Sequence, residues 1–218
     1  MIENRKNLKI ISDFKQPHYH IVEFYMKASN INIIKEEIHL AKNEHNTKSF
    51  KEKNIFSQVP ILKIGDENRY ISESISIIKF LESIFQPDSR LLGNSFEEII
   101  NIDMWYRKIE FNIFLPIVEY GHYSDPFFKN LFKQSKDISD MYLEKAKKGL
   151  NIVNGILNSN DYVYNRFSIA DIILYCAYQL VLLYKVDISG LIDLIDWSEK
   201  IKLISGSECM RNYNLSKH

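Results

Sequence analysis

Cysteine is scarce in this sequence of 218 residues: Cys176 and Cys209 are its two copies. They show neither a CxxC spacing nor the density of a disulfide framework or a cysteine-based metal site. Glycine (7) and proline (5) are also few, which argues against a fibrous or low-complexity chain. Charge of one sign is missing too. Lys+Arg and Asp+Glu number 28 each, so binding of nucleic acid through a basic surface is not expected. No apolar run reaches the roughly twenty residues of a membrane span. The longest, Ile169 to Leu183, is interrupted by Asp171 and Gln179 and reads as a buried helix. The polar start, Met1 to Asn7, shows no apolar signal segment. The expectation is a cytoplasmic protein without metal, in which the sequon Asn214-Leu215-Ser216 is a chance match.

What is present is an ordinary globular composition, 45% hydrophobic and 26% charged. The length suits one or two domains and a sizeable core. Leu8 to Ile11 is β-type. Pro17 then opens a stretch with Ile21, Val22, Phe24, Tyr25 and Ala28 on one helical face, ending at Ser29-Asn30. Ile31 to Ile34 reads as a second strand, and the polar run 40–53 holds a short helix around Phe50. Residues 59–64 and 69–71, joined by Gly65-Asp66-Glu67-Asn68, read as a hairpin with Pro60 at a strand start. Ser72 to Phe85 is an amphipathic helix. The order is βαβ then ββα. Gln86 to Gly93 ends the strand-like patterning with Pro and Gly and marks a domain boundary, giving domains at 1–85 and 94–218. Beyond it Phe96 to about Tyr120, Ser135–Leu157, Ser168–Tyr184 and Leu191–Ile204 all carry helical periodicity. The fold class is therefore α/β followed by all-α.

Two short motifs point to chemistry. Val59-Pro60 heads a strand, and Glu73-Ser74 opens the next helix. A helix N-terminus with free N–H groups and a serine hydroxyl suits a carboxylate, and an adjacent glutamate suits an ammonium. A proline at a strand start, particularly in the cis form, turns the neighbouring backbone polar groups outward, where a peptide-like ligand can pair with them. Together they fit the α-amino acid end and the backbone of a short peptide. The alternative is local: Ser72 and Ser74 cap the helix and Glu73 complements its dipole.

This arrangement, with an all-helical region after it, resembles the cytosolic glutathione transferase family over nearly the whole chain. The stretch from Leu40 through His45 and Gln58 to Pro60 is similar to the family pattern, with Ile55 and Ser57 in place of its usual Pro and Gly. Phe167-Ser168-Ile169-Ala170-Asp171-Ile172 resembles the family's buried capping box, in which Ser168 caps the helix and Asp171 reaches back to the Ser168 N–H. Met104 to Glu110 and Leu115-Pro116-Ile117 are most similar to the bacterial and fungal subgroup related to the second yeast glutathione transferase. The resemblance implies a thioredoxin-like domain and a helical domain, glutathione as co-substrate, a hydrophobic electrophile and a homodimer. It implies glutathione contacts at His45, Gln58, Val59, Pro60, Glu73, Ser74 and Gln16; His45 and Gln58 are equally readable as solvated loop residues.

The activator is the departure. The family's Ser or Cys would align with Gln16, so no standard activator is present, and the missing Cys argues against thiol exchange. Ser12 and Tyr19 lie out of register and read as local hydrogen-bonding residues. In the subgroup, the thiol is thought to be activated by a water held by side chains of the first helix of the second domain, rather than by a first-domain Tyr, Ser or Cys. The resemblance there offers His122 and Ser124, although a histidine at a helix end also serves as a dipole partner. Trp105, Tyr106, Phe111 and Phe114 either line the electrophile pocket or belong to the core. Arg107 with Glu110 is a surface pair or faces a dimer cleft, and Cys176 is an inert core residue. The expected activity is conjugation of glutathione to hydrophobic electrophiles. The alternatives are a non-catalytic binding protein of the same fold or another glutathione-dependent reaction, such as reduction or dehalogenation.

Overall fold

The computed structural model of the chain describes residues 7–211; the sequon at Asn214 and most of the polar start lie outside them. The described residues divide into two compact units, the first ending at Arg90 and the second beginning at Leu91.

The first unit runs β1 (Leu8–Ser12), α1 (Pro17–Ala28), β2 (Ile34–Glu37), α2 (Lys48–Lys51), β3 (Ile61–Ile64), β4 (Arg69–Ser72) and α3 (Ser74–Phe85). The sheet order is β2-β1-β3-β4, with β2 parallel to β1 and the other pairs antiparallel. Central β1 is buried on both faces: Leu8, Ile10, Ile11 and Ser12 are inaccessible or nearly so. Helices α1 and α3 pack together, and Ile21, Tyr25, Ile77, Ile78 and Leu81 on them are buried. The Tyr25 hydroxyl donates to the buried Glu82 carboxylate at 2.7 Å. Burial first, then that carboxylate, raises the Tyr25 pKa. Ile11, Phe50 and Ile61 form a second apolar cluster, against which Ile38, Val59 and Tyr70 pack.

The second strand lies further along than the sequence suggests, at 34–37 rather than 31–34. Ile31 is instead used to close α1: Asn30 takes a left-handed φ of 53°. The Asn30 N–H then donates to the Lys27 carbonyl and the Ile31 N–H to Met26 at 2.7 Å. This is a Schellman closure, with Ile31 as its buried hydrophobic contact.

The second unit is all helical: α4 (Phe96–Ile109), a π-helical turn (Glu110–Phe114), α5 (Leu115–Ser124), α6 (Lys136–Leu157), α7 (Ile169–Leu183), α8 (Ile192–Ile201) and α9 (Glu208–Arg211). The single helix expected from Phe96 to Tyr120 is thus interrupted and runs on to Ser124. Pro116 has no N–H to offer the preceding turn, so the ladder loosens there into the wider π turn. Gly149 of α6 lies against this turn; a Cβ at Gly149 would stand 2.7 Å from the Asn112 carbonyl oxygen.

Asp171 is the polar centre of this unit. Its Oδ1 accepts from the Val163 N–H at 2.9 Å and the Trp197 indole at 3.3 Å. Its Oδ2 accepts from the Ser168 N–H at 3.0 Å and the Ser168 hydroxyl at 3.2 Å. The expected capping box is present, and the same carboxylate also ties down the 161–167 loop and α8. Burial pushes its pKa up to about 7, opposed by these donors. Asp171→Ala would leave three buried N–H groups without their acceptor, each worth about 1–3 kcal/mol. The expected loss is at least about 3 kcal/mol in urea denaturation followed by circular dichroism; a loss below about 1 kcal/mol would refute this central role.

Candidate functional site in the first unit

The register across the sheet decides where the sequence motifs meet. Ile11 lies opposite Ile61, and Ile61 opposite Ser72. The end of β1, the start of β3 and the end of β4 therefore share one end of the sheet. The turn into α1, the Val59-Pro60 pair and the Glu73-Ser74 corner follow directly from those strand ends.

Val59-Pro60 is a cis peptide. The Val59 side chain packs on the Phe50 cluster, whereas its backbone N–H and carbonyl make no hydrogen bond among the described residues. A strand-like backbone with both groups uncommitted can pair with an extended ligand. The loop before it is held by buried Asn54, whose amide donates to the Gln58 carbonyl at 2.9 Å and whose Oδ1 accepts from the Phe56 N–H at 3.2 Å. The Gln58 side chain is exposed.

At the other corner, Glu73 adopts φ 70° and ψ 124°, a sparsely populated region for a residue with a Cβ. Its side chain is exposed and does not cap α3. Ser74 is buried, and its hydroxyl donates to the His18 carbonyl at 3.1 Å, tying the first turns of α1 and α3 together. Neither serine caps the helix, so the capping part of the local reading is not what the structure shows. The N–H groups of Ser74, Ile75 and Ser76 have no acceptor among the described residues. Three N–H groups at a helix start provide the positive end of the helix dipole.

Gln16 is the N-cap residue of α1, half-buried, and its side chain makes no cap. Asp13 accepts from the Lys15 N–H and the Leu40 N–H, both at 3.1 Å, and so anchors the start of the 40–53 segment beside β1. His45 lies in that segment, half-buried. Its Nδ1 is enclosed without a partner, and its Nε2 is 3.1 Å from the Asn46 amide. Burial lowers its pKa, against an opposing pull from Asp13. Ser12 is fully buried with its proton on the Asp13 carbonyl, and Tyr19 is 1% exposed and stacked on Phe14 at 4.7 Å. Neither can meet a ligand, in keeping with their reading as local residues.

His122 and Ser124 lie in the second unit, near the end of α5. The His122 ring stacks on Phe132 at 4.3 Å and meets Phe128 edge-on at 4.9 Å. Its Nδ1 is 3.4 Å from the Glu119 carboxylate. The Ser124 hydroxyl donates to the Tyr120 carbonyl at 2.6 Å. Tyr184 fits the notch at Gly121, where a Cβ would collide with its hydroxyl oxygen. Of the aromatic candidates, Tyr106 and Phe114 are buried core residues, whereas Phe111 is 52% exposed. Cys176 is fully buried, which raises its thiol pKa. The feature that sequence reasoning missed is the aromatic stacking of His122. Phe127-Phe128 and Phe132 signal it only once the turn after α5 is known.

No family model and no curated protein matches this chain in sequence. Solved structures do match it. Gtt2 from Saccharomyces cerevisiae superimposes with a TM-score of 0.83 at 21% identity, over 93% of this chain and 99% of that one. A glutathione S-transferase domain-containing protein from Marinobacter aquaeolei gives 0.83 at 24% identity, over 91% and 99%. Glutathione transferase F7 from Populus trichocarpa gives 0.81 at 19%, over 95% and 99%. The chain has the glutathione transferase fold. Among its described residues no helix is long and apolar enough to cross a membrane.

Acid sensitivity follows from His20, next to the site on α1. Burial lowers its pKa from 6.5 to about 4, partly offset by Glu23 and Asp13. The unfolded chain binds this proton below about 6.5 while the native chain does not, so stability falls as pH drops from 6.5 towards 4. Between pH 7.5 and pH 5 the loss assigned to His20 is about 2 kcal/mol. His20→Gln should lose correspondingly less in parallel urea denaturations at the two pH values. An equal loss in both proteins would exclude His20 as the source.

Proposed function

We propose that this protein is a glutathione transferase of the subgroup that includes Gtt2. One observation carries the reading: the Ile61–Ser72 register sets the uncommitted Val59 backbone and Pro60 beside Glu73 and Ser74. Glutathione is a tripeptide with an α-amino acid at its γ-glutamyl end. In this reading that carboxylate lies on the first N–H groups of α3, its ammonium on Glu73, and its cysteinyl backbone pairs with Val59. Ser74 joins by turning its hydroxyl from the His18 carbonyl to the carboxylate. His45, Gln58 and Gln16 border the same ligand.

The reaction is conjugation. A thiol with pKa near 8.5 is only a few per cent ionised at neutral pH, and shifting it by about two units takes about 2.7 kcal/mol. His122 and Ser124 are the candidates for this in the helical unit, which in this reading also holds the hydrophobic electrophile. His122 is the stronger of the two, because the Ser124 proton is already committed to Tyr120. The thiolate attacks the electrophile, and its leaving group departs. The competing reading is a non-catalytic binding protein of the same fold. It is favoured by the buried Ser12 and Tyr19.

The exposed face of α4 supports a homodimer. Phe96, Ile100 and Met104 of α4, at four-residue spacing, and Phe111 of the π turn after it are 80%, 53%, 39% and 52% exposed, apolar surface that a second copy of the chain would cover. Neither cysteine is in a disulfide, which fits a reducing, cytoplasmic compartment.

Glu73→Ala and Ser74→Ala should each weaken glutathione binding at least about tenfold in calorimetric titration, equal to about 1.4 kcal/mol. Wild-type affinity in both variants would overturn the site. Absorbance of the thioether formed from a chloronitrobenzene reports turnover. Binding without turnover would favour the non-catalytic reading. His122→Ala should raise the pKa of the bound thiol; an unchanged pKa and rate in His122→Ala and Ser124→Ala would remove both residues from the mechanism.

A further inference from the structure

We propose that the turn between α5 and α6, residues 126–133, is a docking surface for anionic phospholipid: Phe127 and Leu131 enter the headgroup–acyl boundary, and Lys129 and Lys133 meet the lipid phosphates. This surface lies in the second unit and needs nothing from the glutathione site.

The turn reads Pro126-Phe127-Phe128-Lys129-Asn130-Leu131-Phe132-Lys133. It starts as a 3₁₀ turn (Pro126–Phe128) and continues through bonds from the Leu131 and Phe132 N–H groups to the Phe128 carbonyl, both at 2.9 Å. In a chain coiled this way, residues four apart fall on one side, and three such pairs have three different surroundings. Phe128 and Phe132 are half-buried, with their rings against His122 at 4.9 and 4.3 Å. Phe127 and Leu131 are left outside, 42% and 74% exposed. Lys129 and Lys133 are exposed as the third pair.

The turn is held in this shape from within. The Asp125 carboxylate accepts from the Phe127 N–H at 2.8 Å. Its main-chain carbonyl accepts from the Phe128 N–H at 3.0 Å and from the Gln134 side-chain amide, which closes the segment at its far end. The carboxylate that opens the turn is thus spent on the backbone. An apolar pair already displayed on a closed turn needs little further ordering to dock.

Charge identifies the occupant. The whole chain is neutral, yet residues 126–136 hold Lys129, Lys133 and Lys136 and no acidic residue. Lys136 pairs with Asp140, and Asp137 stands in the first turn of α6. Lys129 and Lys133 form no ion pair among the described residues. Exposed apolar side chains flanked by such lysines fit a surface that is negative at its face and apolar beneath, as an anionic bilayer leaflet is. The exposed apolar residues on and after α4 have the opposite setting. Between Phe96 and Phe111, four acidic residues outnumber two basic ones, which suits a second copy of the chain better than an anionic surface. Docking through the 126–133 turn is peripheral and requires no membrane-spanning helix.

The experiment is flotation of the full-length protein with vesicles of phosphatidylcholine alone, or of phosphatidylcholine with about 30% phosphatidylserine. Wild type is compared with Leu131→Gln, with the double variant Lys129→Gln/Lys133→Gln and with Leu203→Gln, and circular dichroism confirms folding. Leu203 is 87% exposed elsewhere in the second unit and reports non-specific adhesion. Wild type should float only with the phosphatidylserine vesicles and be released as salt rises from about 0.05 to 0.5 M. A lysine near an anionic surface contributes about fivefold in affinity, so the double variant should bind about twentyfold more weakly. Leu131→Gln should lose at least about fivefold, and Leu203→Gln should match wild type. The proposal is overturned if wild type does not float, or floats equally with phosphatidylcholine alone. It is also overturned if Leu203→Gln binds as weakly as Leu131→Gln, or if Leu131→Gln and the lysine variant both bind like wild type. Sedimentation without vesicles supplies a last test. Self-association of wild type that is lost in Leu131→Gln would give this turn to a second copy of the chain instead of lipid. Each of these failures leaves the glutathione reading standing.

Discussion

The row Ile11–Ile61–Ser72 across three strands is the constraint on which the candidate site depends. Side chains alternate along a strand, so a slip of one residue would move Ile11 and Ile61 from the Phe50 cluster to the opposite face. Burial of these isoleucines fixes the register. The register in turn places three chain reversals, at 13–16, 59–60 and 73–74, around one end of the sheet. An apolar requirement thereby assembles a polar site. Among the described residues the Val59 backbone and the first N–H groups of α3 are left uncommitted at this end of the sheet, and these are the groups a ligand can take.

The bond from Ser74 to the His18 carbonyl links this arrangement to the helices. It joins the first turns of α1 and α3, while the buried Tyr25–Glu82 bond joins the same helices further along. Two polar ties between apolar faces hold the helix starts in fixed relation, and the positions of Gln16 and Glu73 follow from them. A ligand carboxylate that takes the Ser74 proton loosens one tie while the other remains. The site can therefore exchange a hydrogen bond without giving up the packing that built it.

Much of this is legible in the sequence because it rests on periodicity and on residues with few uses. The helical stripes, the hairpin around Gly65, Pro60 at a strand start and the Ser168–Asp171 box are all local patterns. Three things are not local. The second strand lies three residues later because Ile31 closes a Schellman turn, and nothing in Ile31-Asn32-Ile33-Ile34 distinguishes that use from a strand. The long helix after the boundary gains a π turn because Pro116 and the close approach of Gly149 meet there, and these residues are far apart in sequence. Asp171 serves Trp197 and Val163 as well as its own cap, a role that only the folded chain can show. The same holds for His122, whose environment is made by rings from a turn without helical or strand periodicity.

Scarcity of glycine sharpens one of these points. Non-glycine residues take positive φ at Asn30, Asn43, Ser57, Glu73, Gln86, Arg90, Asn165 and Lys185, each at a cost of about 1–2 kcal/mol. Asn30, Gln86 and Lys185 end helices, and Asn43 ends a short 3₁₀ turn, where a left-handed residue satisfies the last carbonyls. Those costs belong to the fold. Glu73 is different, because it stands at the start of a helix, where an extended backbone serves perfectly well. Neither a cap bond nor a hydrogen bond from its side chain offsets the strain. Such strain persists where the surrounding structure over-determines it, and here the sheet register on one side and the buried Ser74 on the other do so. The result leaves an exposed Glu73 carboxylate at a helix start whose first three N–H groups have no acceptor among the described residues, an arrangement that complements the helix dipole and also suits the charged end of an amino acid.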